Sequence, residues 1–485
     1  MSIEWGKITA EELLDPIQGK LVSGPRNISF AGLSTDSRKA GPGEVFWALK
    51  GEKYDGHDFL RNVIQEGVSG VVIRETFLPH LSAMLESDLK HRTPAVITVG
   101  DTLKALGDLS AWWRRQYDVS IVAITGSIGK TTTKEMCAHI LERQVPVLKS
   151  QGNFNNLIGV PLTLLRLGFG TSTAVLELGM NRPGEIARLT QITDPDVGVI
   201  TNVAKVHLEG LGTIEQVAKA KGELIQEISP GARIVLNGDD GLLMDTARRF
   251  RQDLFTFGLG PRNDVFAEAV HEETTEGISF TLRHRDESWP VHLKVPGRYN
   301  VQNALAAAAV GFVSGSAPEH ILTGLEEFRS IKGRFAVECL SGGITIIDDT
   351  YNSNPTALQA ALDTGKSMVS KGGRFVVVLG DMLELGDSVH REHRAAGRLV
   401  AELGTAFFVV MGTYAQDMVQ GAKEAGFPEK DMVVVDTHDQ MVHVLRQVTR
   451  EGDIILFKAS RLIRLEKAVE AFKLLMEQGR EVDAL

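Results

Sequence analysis

Residues 119–134, VSIVAITGSIGKTTTK, decide the fold of this chain. Their apolar, β-branched beginning is typical of a buried strand, and the run that follows Lys130 is typical of a helix. A turn with glycines at positions 126 and 129 joins the two. Backbone N–H groups at such a junction bind a phosphate, and the helix dipole favours its charge. The stretch therefore predicts a phosphate-binding loop in a protein that binds, and cleaves, a nucleoside triphosphate.

Two side chains of this turn suit the outer phosphates. Lys130 supplies a mobile cation, and the Thr131 hydroxyl is placed to bind Mg²⁺. The general pattern has a further glycine where this chain has Ile124, so the loop is a shortened form, G-x-x-G-K-T. The alternative is a chance Gly-Lys-Thr at a turn. The residues that we predict to bind ATP here are Thr125, Gly126, Ser127, Gly129, Lys130, Thr131 and Thr132.

The composition is that of an ordinary globular chain. It has 485 residues, of which 43% are hydrophobic and 24% charged, and its net charge is −10. This charge argues against nucleic acid or an anionic membrane as the main partner, and no apolar run is long enough to span a membrane. The N-terminus lacks the basic start and apolar core of a signal peptide, and Cys137 and Cys339 show no paired spacing. We expect a cytoplasmic protein with two reduced, buried thiols.

Short apolar runs separated by helix-like segments recur along the chain. Repeated strand–helix units indicate an α/β fold with a mostly parallel sheet. We expect three domains, at residues 1–100, 101–328 and 329–485. Outside the opening stretch, the predicted strands lie at residues 45–49, 71–73, 95–98, 174–178, 197–201, 234–237, 344–347, 375–379, 407–411, 432–435 and 454–457.

Polar residues follow several of these strands at the point where each one ends. They include Glu177, Asn202, His207, Asp349 and Asp381. Ligands of open α/β sheets bind beyond the carboxyl ends of the strands, so this placement predicts a common site.

Three ionisable residues leave both a functional and a structural interpretation open. Glu177 is where a Mg²⁺ ligand belongs, because Mg²⁺ takes few carboxylates beside phosphate oxygens, but it also suits a solvated strand end. A histidine such as His207 is more often structural or exposed than metal-binding. Lys221, with Lys219 on the same predicted helix, is more often part of a solvated face.

Further polar residues also leave their interpretation open. Asn300 and Asn303 could face one ligand from a helix, or cap its start. Arg334 suits a phosphate and Asp349 a ribose diol. A group of hydroxyls beside an arginine suits a phosphorylated ligand or an ordinary turn; it comprises Ser34, Thr35, Asp36, Ser37 and Arg38.

Several motifs taken together resemble a known family. In chain order they are TGSIGKTTTK, GNFNNLIGVP, LELGMNRPGE, TNVAKVHLEG, AKAKGEL, PGRYNVQNALAA, KGRF, DDTYNSNP and GDMLELG. They resemble those of the Mur ligases of bacterial cell-wall synthesis, and they cover essentially the whole chain. The shortened phosphate loop is the form typical of that family. The resemblance implies an N-terminal α/β UDP-binding domain, a central phosphate-loop ATPase domain, and a C-terminal Rossmann-like domain that closes over the site.

The resemblance also implies a substrate. GNFNNLIGVP, DDTYNSNPTAL and GDMLELGD are similar to the motifs of the member that adds D-alanyl-D-alanine to UDP-N-acetylmuramoyl-tripeptide. The Asp-Asn-Pro-Arg motif of the diaminopimelate-adding member is absent. The implied enzyme is an ATP-dependent carbon–nitrogen ligase that works through an acyl phosphate; independently of the resemblance, we expect a monomer. The alternatives are a folylpolyglutamate-type ligase, which lacks a UDP-sugar domain, and a phosphate-loop kinase.

The family's functional residues match positions in this chain. On this resemblance Lys130 holds the β and γ phosphates, and two Mg²⁺ sites involve Thr131 and Glu177 at one and His207 at the other. Lys221 matches a lysine that is carbamylated into a metal-binding carboxylate. The remaining implied contacts are Asn303 and Asn300 with adenine, Arg334 with the γ phosphate, Asp349 with the ribose, and Ser34 to Arg38 with the UDP part.

Overall fold

A computed structural model describes residues 2–87, 94–204, 212–271, 274–340 and 342–483. These residues form three β-sheets that follow one another along the chain, each flanked by helices. The α/β class and the mostly parallel sheets are thereby confirmed. The domain limits at residues 100 and 328 stay a prediction.

The first sheet is mixed. Its strands are Ser2–Thr9 (β1), Lys20–Ser23 (β2), Ser29–Ser34 (β3), Glu44–Trp47 (β4), Gly70–Arg74 (β5) and Ala95–Val99 (β6). They lie in the order β1-β3-β4-β5-β6-β2, with β3 to β6 parallel and the two edge strands antiparallel. The parallel strands β3 and β4 therefore end at the same edge of the sheet.

The central sheet carries the phosphate loop. Its strands are Ser120–Thr125 (β7), Val147–Lys149 (β8), Thr173–Glu177 (β9), Val197–Ile200 (β10), Arg233–Asn237 (β11), Leu254–Gly258 (β12), Val265–Glu268 (β13), Ile278–His284 (β14) and Glu287–Leu293 (β15). They lie in the order β15-β14-β13-β12-β11-β10-β7-β9-β8. Strands β7 to β13 run parallel, and β14 and β15 extend the sheet as an antiparallel hairpin. The loop after β7 thus lies between the ends of β9 and β10.

The third sheet is parallel except at one edge. Its strands are Ala336–Cys339 (β16), Thr345–Asp349 (β17), Phe375–Gly380 (β18), Phe407–Met411 (β19), Met432–Val435 (β20) and Ile454–Lys458 (β21). They lie in the order β16-β17-β21-β18-β19-β20. Strand β16 pairs antiparallel with β17, and the other neighbours pair in parallel. Residues after β17, β18 and β21 therefore share one edge.

The helices cover the faces of the sheets. In chain order they are Ala10–Ile17 (α1), Leu60–Gln65 (α2), Leu78–Ser87 (α3), Thr102–Arg114 (α4), Lys130–Leu141 (α5), Gly159–Leu164 (α6), Glu185–Thr193 (α7), Ile214–Glu227 (α8), Gly241–Ala247 (α9), Arg298–Val313 (α10), Pro318–Glu326 (α11), Pro355–Ser367 (α12), Val389–Glu402 (α13), Ala415–Glu424 (α14), His438–Val448 (α15) and Glu466–Asp483 (α16). No helix within the described ranges has the length and apolar character needed to cross a bilayer.

The first two sheets share one apolar core. Trp47 of β4, Leu106 of α4 and Leu176 of β9 belong to the same buried cluster, and the Trp47 indole donates to the Thr102 carbonyl at 2.7 Å. The third sheet has separate cores on its two faces. Its apolar link to the central region includes a ring contact between Tyr299 and Phe335, with centroids 6.0 Å apart. The first two regions are therefore joined more extensively by apolar packing than the third is.

The two thiols differ in environment. Cys137 is buried in α5, and burial raises the pKa of its thiol. Cys339 is exposed at the end of β16. Both are free, as predicted, but the predicted burial is correct for Cys137 and wrong for Cys339, which lies on a short strand at the edge of the third sheet.

A buried ion pair joins the starts of two central strands in the third sheet. The fully buried Asp453 accepts hydrogen bonds from Arg374 Nε at 2.9 Å and Nη2 at 2.6 Å, and from the Arg450 N–H at 2.9 Å. We expect Asp453→Asn to destabilise this region by about 2–3 kcal/mol, because hydrogen bonds to a charged group are lost. Faster amide hydrogen exchange in β18 and β21, followed by mass spectrometry, measures the effect.

The exposed pair Lys423–Glu429 is the matched control for this substitution. Glu429→Gln should change the free energy of unfolding by less than about 1 kcal/mol, because solvent screens such pairs. Equal exchange rates in the two variants would contradict the assigned role of Asp453.

Candidate nucleotide site

The phosphate loop connects β7 to α5 with its backbone in a conformation that favours glycine. Gly126 has φ 144° and Gly129 has φ 85°. A Cβ at Gly126 would lie 1.9 Å from Thr201 Oγ1, and one at Gly129 would lie 2.2 Å from Asn303 Oδ1. Both positions therefore need glycine, for space as well as for backbone angle. The loop and helix predicted from the sequence are present here.

The segment after β10 fixes the middle of the loop. Asn202 Oδ1 accepts from the Ile128 N–H at 2.9 Å, and the Asn202 carbonyl accepts from the Ser127 N–H at 3.0 Å. Thr201 Oγ1 donates to the Ile128 carbonyl at 2.6 Å. These contacts hold the loop open at the N-terminus of α5, where an anion is favoured.

Lys130 folds back over the loop. Its ammonium donates to the carbonyls of Gly126 at 2.8 Å and Ser127 at 3.3 Å. Burial lowers its pKa, whereas the nearby carboxylates of Glu177 and Glu384 act in the opposite direction. The cation thus lies over the anion-binding loop, as the sequence predicts.

Thr131 and Glu177 form the centre of the site. The Thr131 hydroxyl donates to Glu177 Oε2 at 2.8 Å, and Asn155 Nδ2 donates to Glu177 Oε1 at 2.8 Å. The Glu177 backbone N–H in turn donates to Ser150 Oγ at 3.2 Å. Glu177 is buried, so it is not a solvated strand end. A hydroxyl beside a carboxylate provides the oxygen ligands that Mg²⁺ prefers.

The third region reaches this centre through Arg334. Its Nη2 donates to Thr131 Oγ1 at 3.2 Å, and its guanidinium lies 3.9 Å from the centroid of the Tyr351 ring. The Arg461 guanidinium lies 5.7 Å from the same centroid. Arg334 therefore lies beside the phosphate loop, where it could stabilise the charge of phosphoryl oxygens.

Lys221 is buried in α8 rather than on a solvated face. Burial lowers the pKa of its amine well below the usual value, and the charge of Lys130 acts in the same direction. A larger fraction of this amine is therefore neutral near pH 7 than in an exposed lysine. Lys219 is exposed on the same helix. His207 lies outside the described residues, so its predicted metal contact stays a prediction.

Asn300 and Asn303 are buried on α10 and point toward the protein. Asn303 Oδ1 accepts from Thr133 Oγ1 at 3.3 Å, and Asn303 Nδ2 donates to Asn300 Oδ1 at 3.1 Å. Asn300 Nδ2 donates to the Pro296 carbonyl at 2.6 Å. In this structure the Asn303 amide of this pair packs against Gly129 of the phosphate loop. Its contact with adenine stays a prediction.

Asp349 is bound by protein donors at the end of β17. Its carboxylate accepts from the buried ammonium of Lys458 and, at 3.2 Å, from the Phe335 N–H. Lys458 also donates to the Asn352 carbonyl at 3.1 Å. This network ties the segment beside Arg334 to the end of β21. These hydrogen bonds do not test the predicted contact between Asp349 and a ribose, which stays a prediction.

The N-terminal cluster forms a tight turn at the end of β3. Ser34 is buried, and its hydroxyl donates to the Asp36 carbonyl at 3.1 Å. Arg38 pairs with both carboxylate oxygens of Asp36, at 2.8 and 2.9 Å, and this lowers the pKa of Asp36 to about 2. The Arg38 side chain is largely exposed, so this ion pair lies at the surface. The predicted UDP contact of residues 34–38 stays a prediction.

Several residues of the site were not singled out from the sequence, and Asn155, Tyr351 and Lys458 are examples. Asn155 lies in the quoted GNFNNLIGVP motif, and Tyr351 lies in DDTYNSNP, so the motifs could have indicated them. Lys458 ends an apolar strand, which was a usable signal. Their roles depend on partners that are distant in sequence.

The space around Gly129 yields a prediction. We expect Gly129→Ala to weaken ATP binding more than tenfold, because the methyl group displaces the Asn303 amide from beneath the loop. Isothermal titration with ATP measures the change in Kd.

Gly184 offers a matched control. It has φ 86° and nothing within 4 Å of an added Cβ. Gly184→Ala should carry the left-handed backbone strain of about 1–2 kcal/mol and leave ATP affinity unchanged. Similar losses of affinity in both variants would attribute the effect to backbone strain alone.

Comparisons with known proteins agree with this geometry. Family models described as "Mur ligase family, catalytic domain", "Mur ligase middle domain" and "Mur ligase, glutamate ligase domain" match residues 29–113, 124–311 and 333–461. The UDP-N-acetylmuramoyl-tripeptide–D-alanyl-D-alanine ligase of Bacillus subtilis is 34% identical over 96% of this chain and 98% of its own length.

Solved structures extend the likeness to the whole fold. MurF from Acinetobacter baumannii has a TM-score of 0.84 at 32% identity, over 97% of this chain and all of that one. The MurF ligase of Thermotoga maritima in complex with ADP has a TM-score of 0.78 at 27% identity, over 92% of this chain and 98% of that one. Matched along nearly its full length in both sequence and fold, this chain belongs to the Mur ligase family.

Proposed function

We propose that this protein joins D-alanyl-D-alanine to UDP-N-acetylmuramoyl-tripeptide at the expense of ATP, a step of peptidoglycan precursor synthesis. The named activity of the Bacillus subtilis relative supports this substrate pair. The observation that carries the proposal is the Arg334–Thr131 hydrogen bond at 3.2 Å. It brings a cation of the third region to the phosphate loop of the central region, where ATP would be activated.

The chemistry begins from a poor electrophile. The terminal carboxylate of the tripeptide attacks the γ phosphorus of ATP, the bond to ADP breaks, and an acyl phosphate forms. The amine of the dipeptide then attacks the acyl carbon, and phosphate leaves with the electron pair of the broken C–O bond. The product is an amide.

Two anions meet in the first step, so positive charge must be supplied. Lys130 lies over the loop and Arg334 lies beside Thr131, and we assign both to the transferred phosphoryl group. Hydrogen bonds from Asn155 and Thr131 to the buried Glu177 orient the carboxylate and hydroxyl oxygens beside the phosphate loop.

Magnesium fits the oxygen donors of this centre. Thr131 and Glu177 would hold one ion, while His207 and a carbamate on Lys221 would hold a second. Bound Mg²⁺ would neutralise charge on the phosphoryl oxygens. The lowered pKa of Lys221 supports its carbamylation, because only a neutral amine adds to carbon dioxide.

The remaining substrate contacts follow the family resemblance. We assign adenine to Asn300 and Asn303, the ribose to Asp349, and the UDP part to residues 34–38. Because the nucleotide-linked substrates belong to the cytoplasm, we infer a cytoplasmic enzyme. We also infer a monomer, with the three regions of one chain completing the site.

We expect little phosphate release from ATP until UDP-linked muramyl tripeptide and D-Ala-D-Ala are both present. Closure of the third region would keep water from the acyl phosphate, so that this intermediate persists until the amine attacks it. Phosphate release with each combination of substrates, followed by mass spectrometry of the product, checks this. The expected product is heavier than the tripeptide substrate by the dipeptide less water.

The rival activities give different results in the same assay. A folylpolyglutamate-type ligase would release phosphate with a folate and glutamate and ignore the muramyl substrate. A kinase would yield a phosphorylated product and no amide. Rapid ATP hydrolysis by the enzyme alone would contradict the expectation that phosphate release requires both substrates.

The carbamate assignment is tested at Lys221. Lys221→Ala should lower kcat by about a hundredfold or more, because a charge-stabilising ligand is lost. Acetate should restore part of the activity by supplying a carboxylate at the vacated position.

Lys219→Ala is the matched control, since Lys219 is exposed on the same helix. It should retain normal activity and show no response to acetate. An unrescued Lys221→Ala variant whose circular dichroism spectrum and melting temperature are normal would argue against the carbamate.

A further inference from the structure

A lysine that the proposed reaction does not use lies one helical turn beyond Lys130. Lys134 belongs to α5, and its side chain is fully buried. Its Nζ donates to the Ser150 carbonyl at 2.5 Å and pairs with Glu135 Oε1 at 2.7 Å. Burial of an amine is costly even when it is paired, and apolar packing would hold a helix at lower cost. A role that needs directional bonds therefore explains Lys134 better than stability does.

Ser150 connects Lys134 to the strand that carries Glu177. It is buried directly after β8, which lies beside β9 in the central sheet. The Ser150 N–H donates to the Val175 carbonyl at 3.2 Å, and Ser150 Oγ accepts from the Glu177 N–H at 3.2 Å. Ser150 thus binds β9 at two positions, the second of which is the backbone of Glu177 itself.

Lys134 and Thr131 lie three positions apart on α5, and so they share one face of the helix. Thr131 donates directly to the Glu177 carboxylate at 2.8 Å. Lys134 reaches the Glu177 backbone through Ser150. Contacts from a single helix face therefore fix both the side chain and the main chain of Glu177, and together they set where its carboxylate lies relative to the Thr131 hydroxyl.

We propose that Lys134 is a positioning residue for the magnesium ligands: through Ser150 it holds Glu177 at the distance from Thr131 that a bound ion requires. This inference rests on the magnesium assignment of the proposed function. Residues that orient a metal ligand commonly contribute about tenfold to a hundredfold to metal affinity. The phosphate contacts assigned to Lys130 and the loop do not involve Lys134, so the binding of metal-free ATP should not depend on it.

The test compares ATP binding with and without magnesium in Lys134→Met. Isothermal titration gives the Kd of ATP in EDTA and in excess Mg²⁺, and we call the ratio of these two values the magnesium gain. The Kd in EDTA should stay within about twofold of the wild-type value, while the magnesium gain should fall about tenfold or more. Electron paramagnetic resonance of added Mn²⁺ measures the affinity for a divalent ion directly.

Ser150→Ala is the second variant, and it decides the inference even where Lys134→Met does not fold. It removes the hydroxyl that accepts from the Glu177 N–H and keeps the backbone carbonyl that Lys134 binds. Its magnesium gain should also fall about tenfold. Because the two residues act in series, Lys134→Met added to Ser150→Ala should lower the gain by less than about twofold further.

Lys149→Met is the matched control. Lys149 Nζ pairs with the same carboxylate as Lys134, that of Glu135, at 2.9 Å, and it also pairs with Glu142 at 3.6 Å. Its side chain is partly exposed. The variant should keep the wild-type magnesium gain.

Three outcomes would overturn the inference. A normal magnesium gain in Lys134→Met or Ser150→Ala would show that Glu177 needs no such support. Equal losses of affinity in EDTA and in magnesium would show that Lys134 stabilises the phosphate loop as a whole. Additive losses in the double variant would show that Lys134 does not act through Ser150.

The wild-type protein separates these results from a failure of the proposed function. A wild-type protein without a magnesium gain would refute the magnesium assignment, and this inference with it. A wild-type protein that has the gain but joins no dipeptide would refute the ligase activity alone, and the binding measurements would still decide the role of Lys134.

Discussion

The hydroxyl of Thr131 is the point on which the arrangement of the site depends. One oxygen donates to Glu177 of the central sheet and accepts from Arg334 of the third region. A hydroxyl can do both at once, so a carboxylate and a guanidinium are positioned through a single atom. The first and central regions share a continuous apolar core, whereas this polar contact helps to fix the third. The third region is therefore held in part by a hydroxyl in the first turn of the helix that follows the phosphate loop.

The sequence predicts those parts of the fold that rest on local pattern. Strand β19 lies at the predicted residues, because a short apolar run between helices is typical of a strand buried on both faces. Strand β20 also lies at the predicted residues, although it is an edge strand and its Val434 is exposed. The hairpin β14–β15 was not predicted. Its buried residues alternate with less buried ones, which include Arg283 and His284, so it offers no continuous apolar run.

The residues of the site also divide into those that local sequence predicts and those whose placement depends on tertiary contacts. The phosphate loop was predicted because strand, glycines and lysine are adjacent in sequence. Lys221 had an ordinary helical context, and its burial depends on packing around α8, which spacing does not encode. The inward direction of the Asn303 amide depends on Thr133, 170 positions away. The left-handed backbone at Glu384, with φ 64°, lies in a loop after β18 whose neighbouring N–H donates to a residue 77 positions away, and so a motif alone could not predict it.

The two free thiols have a practical consequence. Cys137 is buried in the nucleotide-binding region, while Cys339 is exposed in the third sheet. A maleimide dye would therefore react selectively at Cys339, without any engineered site. The tryptophans, at positions 5, 47, 112, 113 and 289, all lie before residue 329. Without any substitution, the chain thus has tryptophan donors before residue 329 and one position for an acceptor dye, Cys339, in the third region. The efficiency of energy transfer from the tryptophans to the dye would report on the distance between these parts of the protein.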